Sequence, residues 1–119
     1  MLIRKARRED LSRVRELAEG LGLDSPGMED DAFWVAEDNG RIEGVCGLKR
    51  HPDCFELYTL GVEKGARGRG TGRELAKALL REVQGDIYLA TVIPGFFERL
   101  GFSRTFEFPR SLAKGGDWC

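Results

Sequence analysis

The chain has 119 residues, 41% of them hydrophobic and 33% charged, and nineteen basic against twenty acidic side chains leave a formal net charge of −1. That length suits one domain around one ordinary core, and the composition excludes a disordered chain. It also lacks the basic excess of bulk nucleic-acid or membrane binding and any apolar run near the ~20 residues that span a bilayer. The basic residues 1–8 precede no apolar stretch of the kind that makes a secretory signal, and the three cysteines fit free thiols in a reducing, cytoplasmic compartment.

Residues 1–6 read as a short strand. Arg8-Glu9-Asp10 opens a helix with acidic residues in its first turn, and Leu11, Val14, Leu17, Ala18 and Leu21 follow at helical spacing until Gly20 and Gly22 end it. A polar connection, 23–31, leads to a strand at 32–36. Asn39-Gly40 then marks a hairpin, and the chain returns over 41–49 with Ile42 and Val45. His51-Pro52-Asp53 turns it again into a third run, 55–62, completing an antiparallel meander. A glycine-rich stretch gives way to a helix over 71–83 whose apolar face is Leu75, Ala76, Leu79, Leu80 and Val83. Residues 87–90 read as a short buried strand. Pro94 opens a short helix through Leu100 with Gly101 as its stop, 103–108 reads as a last strand, and the tail from 109 is irregular. The order β-α-β-β-β-α-β-α-β predicts a mixed α/β sheet with helices on both faces, in a single domain over 1–119.

The chemistry-bearing segment runs from Leu60 to Gly72. It leaves a strand, passes Lys64, Arg67, Arg69 and Arg73, and enters an amphipathic helix. Glycines let such a backbone turn sharply and bring its N–H groups close to a ligand, the helix start adds partial positive charge, and the arginines add full charges. Phosphate is the natural guest. A Walker A loop is excluded because Thr71 stands where its lysine is required, and a dinucleotide fingerprint is excluded because Gly68, Gly70 and Gly72 are evenly spaced by two.

Arg67-Gly68-Arg69-Gly70-Thr71-Gly72 resembles the Arg/Gln-x-x-Gly-x-Gly/Ala signature of the GNAT superfamily of N-acetyltransferases, and Pro94 to Phe102, ending in Leu-Gly-Phe, resembles that family's second motif. The resemblance implies a GNAT fold whose fourth and fifth strands splay apart, with acetyl-CoA as co-substrate and no metal. Leu60, Gly61 and Val62 would then offer backbone hydrogen bonds to the pantetheine arm. The amides of Arg67, Gly68, Arg69, Gly70, Thr71, Gly72 and Arg73 would hold the pyrophosphate. An amine would attack the thioester directly.

Such an amine is mostly protonated at neutral pH, so a base helps. Glu56 stands where several branches of the family place a catalytic glutamate, although a strand glutamate is as readily a solvated face residue. Alternation puts Tyr58 on the face of Glu56, with Leu60 following, so Tyr58 is either an acceptor-cleft residue or a packing one. Phe97 stands where many members have the tyrosine that protonates the departing thiolate. Solvent is then the proton source, or Tyr88 in its place; a buried structural role is the plainer reading of Tyr88. The pattern from Thr91 to Phe97 is similar to N-acetylglutamate synthases and arsenic-resistance-type relatives, which implies a small amino-acid acceptor and makes Thr91 a candidate contact. A peptide or protein N-acetyltransferase and a non-catalytic acyl-CoA-binding module remain the alternatives, and homodimers are common among such domains. Cys46, His51 and Cys54 give only three ligands at irregular spacing for a metal. Trp34 reads as core, and Trp118 and Cys119 as a tail.

Overall fold

The order of elements follows from where the chain alternates and where it spaces its apolar residues helically. The computed structural model describes residues 1–23, 32–91 and 93–105. These form β1 (Leu2–Lys5), a single 3-10 turn at Arg8–Asp10, α1 (Leu11–Gly20), β2 (Ala32–Asp38), β3 (Arg41–Arg50), β4 (Phe55–Val62), a second 3-10 turn at Lys64–Ala66, α2 (Thr71–Glu82), β5 (Ile87–Tyr88) and α3 (Pro94–Glu98). The sheet keeps sequence order, β1-β2-β3-β4-β5, antiparallel through its first four strands and parallel between β4 and β5. A parallel pair needs a crossover, and α2 supplies it.

Helices cover both faces, as the amphipathic patterns require. Val14 and Leu17 of α1 bury against Phe33, Val35, Ile42 and Val45. On the opposite face Leu75 and Leu79 of α2, together with Phe97, bury against Trp34, Ala36, Cys46, Leu48 and Leu57. Each fully buried leucine in such a face contributes about 1.5–3 kcal/mol. Cys46 lies wholly inside, and burial pushes its thiol far up, so it is an inert core residue. Among the described residues no helix is long and apolar enough to cross a membrane.

The structure departs from the sequence reading at the sheet's far edge. The expected strand over 87–90 is two residues long, because only Phe55↔Ile87 and Glu56↔Tyr88 pair before β4 and β5 part. Leu89 still packs on the α2-face core, which accounts for its apolar character without a strand. Residues 103–105 of the expected last strand carry no regular structure. Its remainder, most of the connection over 23–31, Trp118 and Cys119 lie outside the described residues.

Arg4 ties the N-terminal strand to its surroundings. Its guanidinium donates to Asp10 Oδ2 and to Glu37 Oε1, each at 2.7 Å, and the same Asp10 oxygen accepts the Arg7 backbone N–H at 2.7 Å. The Arg4 hydrogen bond, against a smaller desolvation cost, holds the Asp10 carboxyl below its ordinary value. A depressed carboxyl stabilises the fold above its unfolded pKa and loses that contribution as pH falls through the folded one. Arg4→Met should therefore cost about 1–3 kcal/mol at pH 7 and distinctly less at pH 3, measured by urea unfolding at both pH values. An equal cost at the two values would show that the pair does not couple to folding.

Candidate active site

Glu56 stands at the last rung that joins β4 to β5, opposite Tyr88. Beyond it the two strands have no shared ladder, so Glu56 marks the fork of a V opening along β4. The residue is buried. Its Oε1 lies 2.7 Å from His51 Nε2, across the hairpin that joins β3 to β4. The carboxylate is held at Oε1 by a neighbouring ring and keeps a small exposed fraction. Glu56 is thus not a solvated face residue. The sequence places His51 in a turn and offers it otherwise only as a metal ligand. Among the described residues no group of three His, Cys, Asp or Glu side chains converges, and the partner of this imidazole is a carboxylate.

Past Tyr58 the strand breaks its alternation. Gly47 pairs with Tyr58 and Val45 with Gly61, so Cys46 alone faces both Thr59 and Leu60, which is a β-bulge. Thr59 takes φ +55, a left-handed conformation that costs a β-branched residue on the order of 1–3 kcal/mol. The extra residue moves everything after it to the other face. Tyr58 packs on the α1 side, its ring 5.8 Å from Phe33 and 4.8 Å below Lys49 Nζ, whereas Leu60 and Val62 pack on the α2 side. The expectation that Leu60 follows Glu56 and Tyr58 on one face is therefore corrected. Nothing in the sequence marked the bulge, since threonine is a good strand former. Gly61 is where α1's end crosses β4: a Cβ there would sit 2.6 Å from the Leu23 side chain and 2.8 Å from that of Leu21.

After Val62 the chain is pinned before it becomes a loop. Glu63 N–H donates to Glu43 O at 2.7 Å, and its carboxylate accepts from Arg41 and, at 3.5 Å, from Arg13. Arg13 also donates to Ile42 O at 3.0 Å. Arg67 Nε donates to Val62 O at 3.0 Å, and Arg69 reaches Gly65 O and Asp38 Oδ2, each at 3.4 Å. Two of the three loop arginines thus brace the loop itself, while Arg73 is exposed with no such partner among the described residues. Gly70 is the N-cap of α2, at φ +75, and offers no side-chain cap. The helical ladder begins with Glu74 N–H to Gly70 O at 3.0 Å, which leaves the amides of Thr71, Gly72 and Arg73 ahead of it unspent. A Cβ on Gly65, Gly68 or Gly70 would meet no atom within 4 Å, so the rim of this nest is open. The Thr71 side chain turns inward, its hydroxyl 3.2 Å from Met1 Sδ, so only its backbone serves the nest.

The two sequence motifs meet in space. A Cβ on Gly72 would touch both Phe96 of α3 and Val62 of β4 at 3.8 Å. Phe97 points the other way, 5% exposed in the α2-face core and packed edge-on against Phe96 and Phe102 at 5.0 and 5.8 Å between centroids. Thr91 uses its hydroxyl oxygen to accept Ile93 N–H at 2.9 Å, a local turn that starts α3. The cavity beside β5 is lined by Tyr88, Thr91, Phe97 and Phe102 but by no residue of the nest.

Residues 29–104 match the acetyltransferase (GNAT) domain family. The chain belongs to the GNAT acetyltransferase family. Its class of activity is acetyl-CoA-dependent N-acetyl transfer. An uncharacterized N-acetyltransferase of Chlorobaculum tepidum is 27% identical, matching 92% of this chain and 81% of its own length. Rv2747 of Mycobacterium tuberculosis, solved in complex with CoA and NLQ, superposes with a TM-score of 0.79 at 26% identity over 92% of this chain and 75% of its own. The N-acetylglutamate synthase of Neisseria gonorrhoeae, solved with coenzyme A and N-acetyl-glutamate, shares the fold with a TM-score of 0.75 at 24% identity, over 92% of this chain and 30% of the synthase.

The GNAT nest fits a pyrophosphate on its own geometry: unspent amides at a helix start, open space above left-handed glycines, and fixed cations beside it. Gly70→Val would put a branched side chain into that space and a left-handed strain of about 1–2 kcal/mol into the cap. The variant should keep its far-UV circular dichroism and lose at least tenfold in CoA affinity by calorimetric titration. Undiminished affinity would remove the nest as the phosphate site.

Proposed function

We propose that this GNAT domain, taken as one unit over 1–119, transfers the acetyl group of acetyl-CoA to the primary amine of a small amino acid, with Glu56 receiving the amine's proton. The observation that carries this reading is the place of Glu56: at the fork where β4 and β5 part, nearly enclosed, with one oxygen tied to His51. Acetyl-CoA, when bound, supplies an acetyl group already activated as a thioester. The backbone of Leu60, Gly61 and Val62 orients the pantetheine along the unpaired side of β4, and the amides from Arg67 to Arg73 anchor the pyrophosphate. Anchoring both ends of a long co-substrate on a rigid strand and helix turns a two-body encounter into an aligned one, an effect worth several kcal/mol.

Glu56 then holds the proton that the ammonium must lose before nitrogen can attack. Phe97 contributes packing and no proton. A thiol of ordinary pKa, about 8.5, leaves as a thiolate that solvent can protonate, so no dedicated acid is required. The amino-acid acceptor is supported by the motif from Thr91 to Phe97 and by the likeness to Rv2747 and to the Neisseria synthase. The side chains on the Glu56 face support it as well. Lys49 stands opposite Glu56 in the β3–β4 register, its ammonium over Tyr58, so a cation for a carboxylate lies beside a carboxylate for an amine.

The test follows thiol release from acetyl-CoA against a panel of amino acids and simple amines. Turnover should concentrate on amino acids, and Glu56→Gln should lower kcat by about 10²–10⁴. CoA binding with no turnover on any acceptor would defeat the enzymatic reading for this chain, and a Glu56→Gln rate unchanged from pH 6 to 9 would remove Glu56 as base.

A further inference from the structure

Among side chains outside the cofactor nest, the sole histidine of the chain is the one the mechanism has not used. His51 sits in the β3–β4 hairpin, its backbone N–H held by Cys54 O at 2.8 Å, and its ring turns back along β4 to meet Glu56. Both side chains are nearly enclosed, 11% and 10% exposed. A glutamate side chain on a strand rotates between several staggered states unless something holds it. A single short bond from a ring fixed in a tight turn removes that freedom. It does so at one named oxygen, Oε1, beside the rung where β4 and β5 part.

We propose that His51 is a positioning residue for acetyl transfer: its Nε2–H donates to Glu56 Oε1 and fixes the carboxylate so that Oε2 faces the incoming amine. It touches neither acetyl-CoA nor the amine, and it acts only through Glu56. The inference rests on the reading of Glu56 as the base. A base 1 Å out of place loses much of its effect, so the loss should fall on kcat rather than on cofactor binding.

The test uses the amino acid from the panel with the highest turnover. His51→Ala should lower kcat about tenfold while the KM for acetyl-CoA and the affinity for CoA stay at wild-type values. His51→Gln, whose amide nitrogen sits near the place of Nε2, should restore most of the rate. His51→Asn, whose amide falls near Nδ1, should not. In a Glu56→Gln background, His51→Ala should have no further effect. Wild-type kcat in His51→Ala with a slow Glu56→Gln enzyme would overturn the positioning role and leave the base in place. An unchanged Glu56→Gln rate would overturn both. An equal loss from His51→Ala with and without Glu56, or rescue by Asn as good as by Gln, would show that the ring only supports the hairpin. Should His51→Ala fail to fold, the Gln and Asn pair decides.

Discussion

The ladder between β4 and β5 closes twice, at Phe55↔Ile87 and Glu56↔Tyr88, and then stops. Among the described residues, the backbone N–H and C=O groups along the rest of β4 on that side have no neighbouring strand, although a sheet interior normally pairs such groups. A fold accepts that cost where another molecule completes the pairing. The parting leaves one side of β4 open, and the nest at the start of α2 is reached from the C-terminal end of the same strand. Glu56, the bulge at Thr59, the residues from Leu60 to Val62 and the glycine nest thus fall in one line along β4 and its continuation. Loss of the fork would leave each as an unrelated surface feature.

Electrostatics sharpen that line without any overall charge. The chain's formal net charge is −1, yet Arg67, Arg69 and Arg73 stand within seven positions of one another at a helix start. Arg67 and Arg69 spend hydrogen bonds on Val62 O, Gly65 O and Asp38, so they hold the loop in shape before any anion arrives. Preorganised amides need no rearrangement on binding, which is where small phosphate sites gain most of their affinity. The exposed Arg69–Asp38 pair adds little to stability. Its value lies in fixing the loop against the β2–β3 turn.

Much of this was legible in the sequence, and for physical reasons. The strand 55–62 and the helix beginning at Thr71 were read with their observed starts, because a β-rich run, a glycine cluster and an amphipathic face each signal locally. The resemblance of Arg67–Gly72 and Pro94–Phe102 to the GNAT motifs led to the family. What failed to show was non-local. Pairing across a sheet decided that β5 is two residues long, and no period in residues 87–90 reports on a neighbour that leaves. Thr59 is a favourable strand residue by propensity, so its left-handed backbone, and the switch of Leu60 to the α2 side, could be found only from the register with β3. His51 read as a turn residue because its partner Glu56 is five positions on, in the next strand. The spacing across so tight a hairpin was the one clue available.

A structure of the protein with acetyl-CoA bound tests the central claim most directly. The account predicts the pyrophosphate within hydrogen-bond distance of the amides between Gly68 and Arg73, the pantetheine paired to β4 from Leu60 to Val62, and the thioester at the fork beside Glu56. A cofactor lying along the outer side of β5, or one seated in the nest with its thioester on the face away from Glu56, would contradict it.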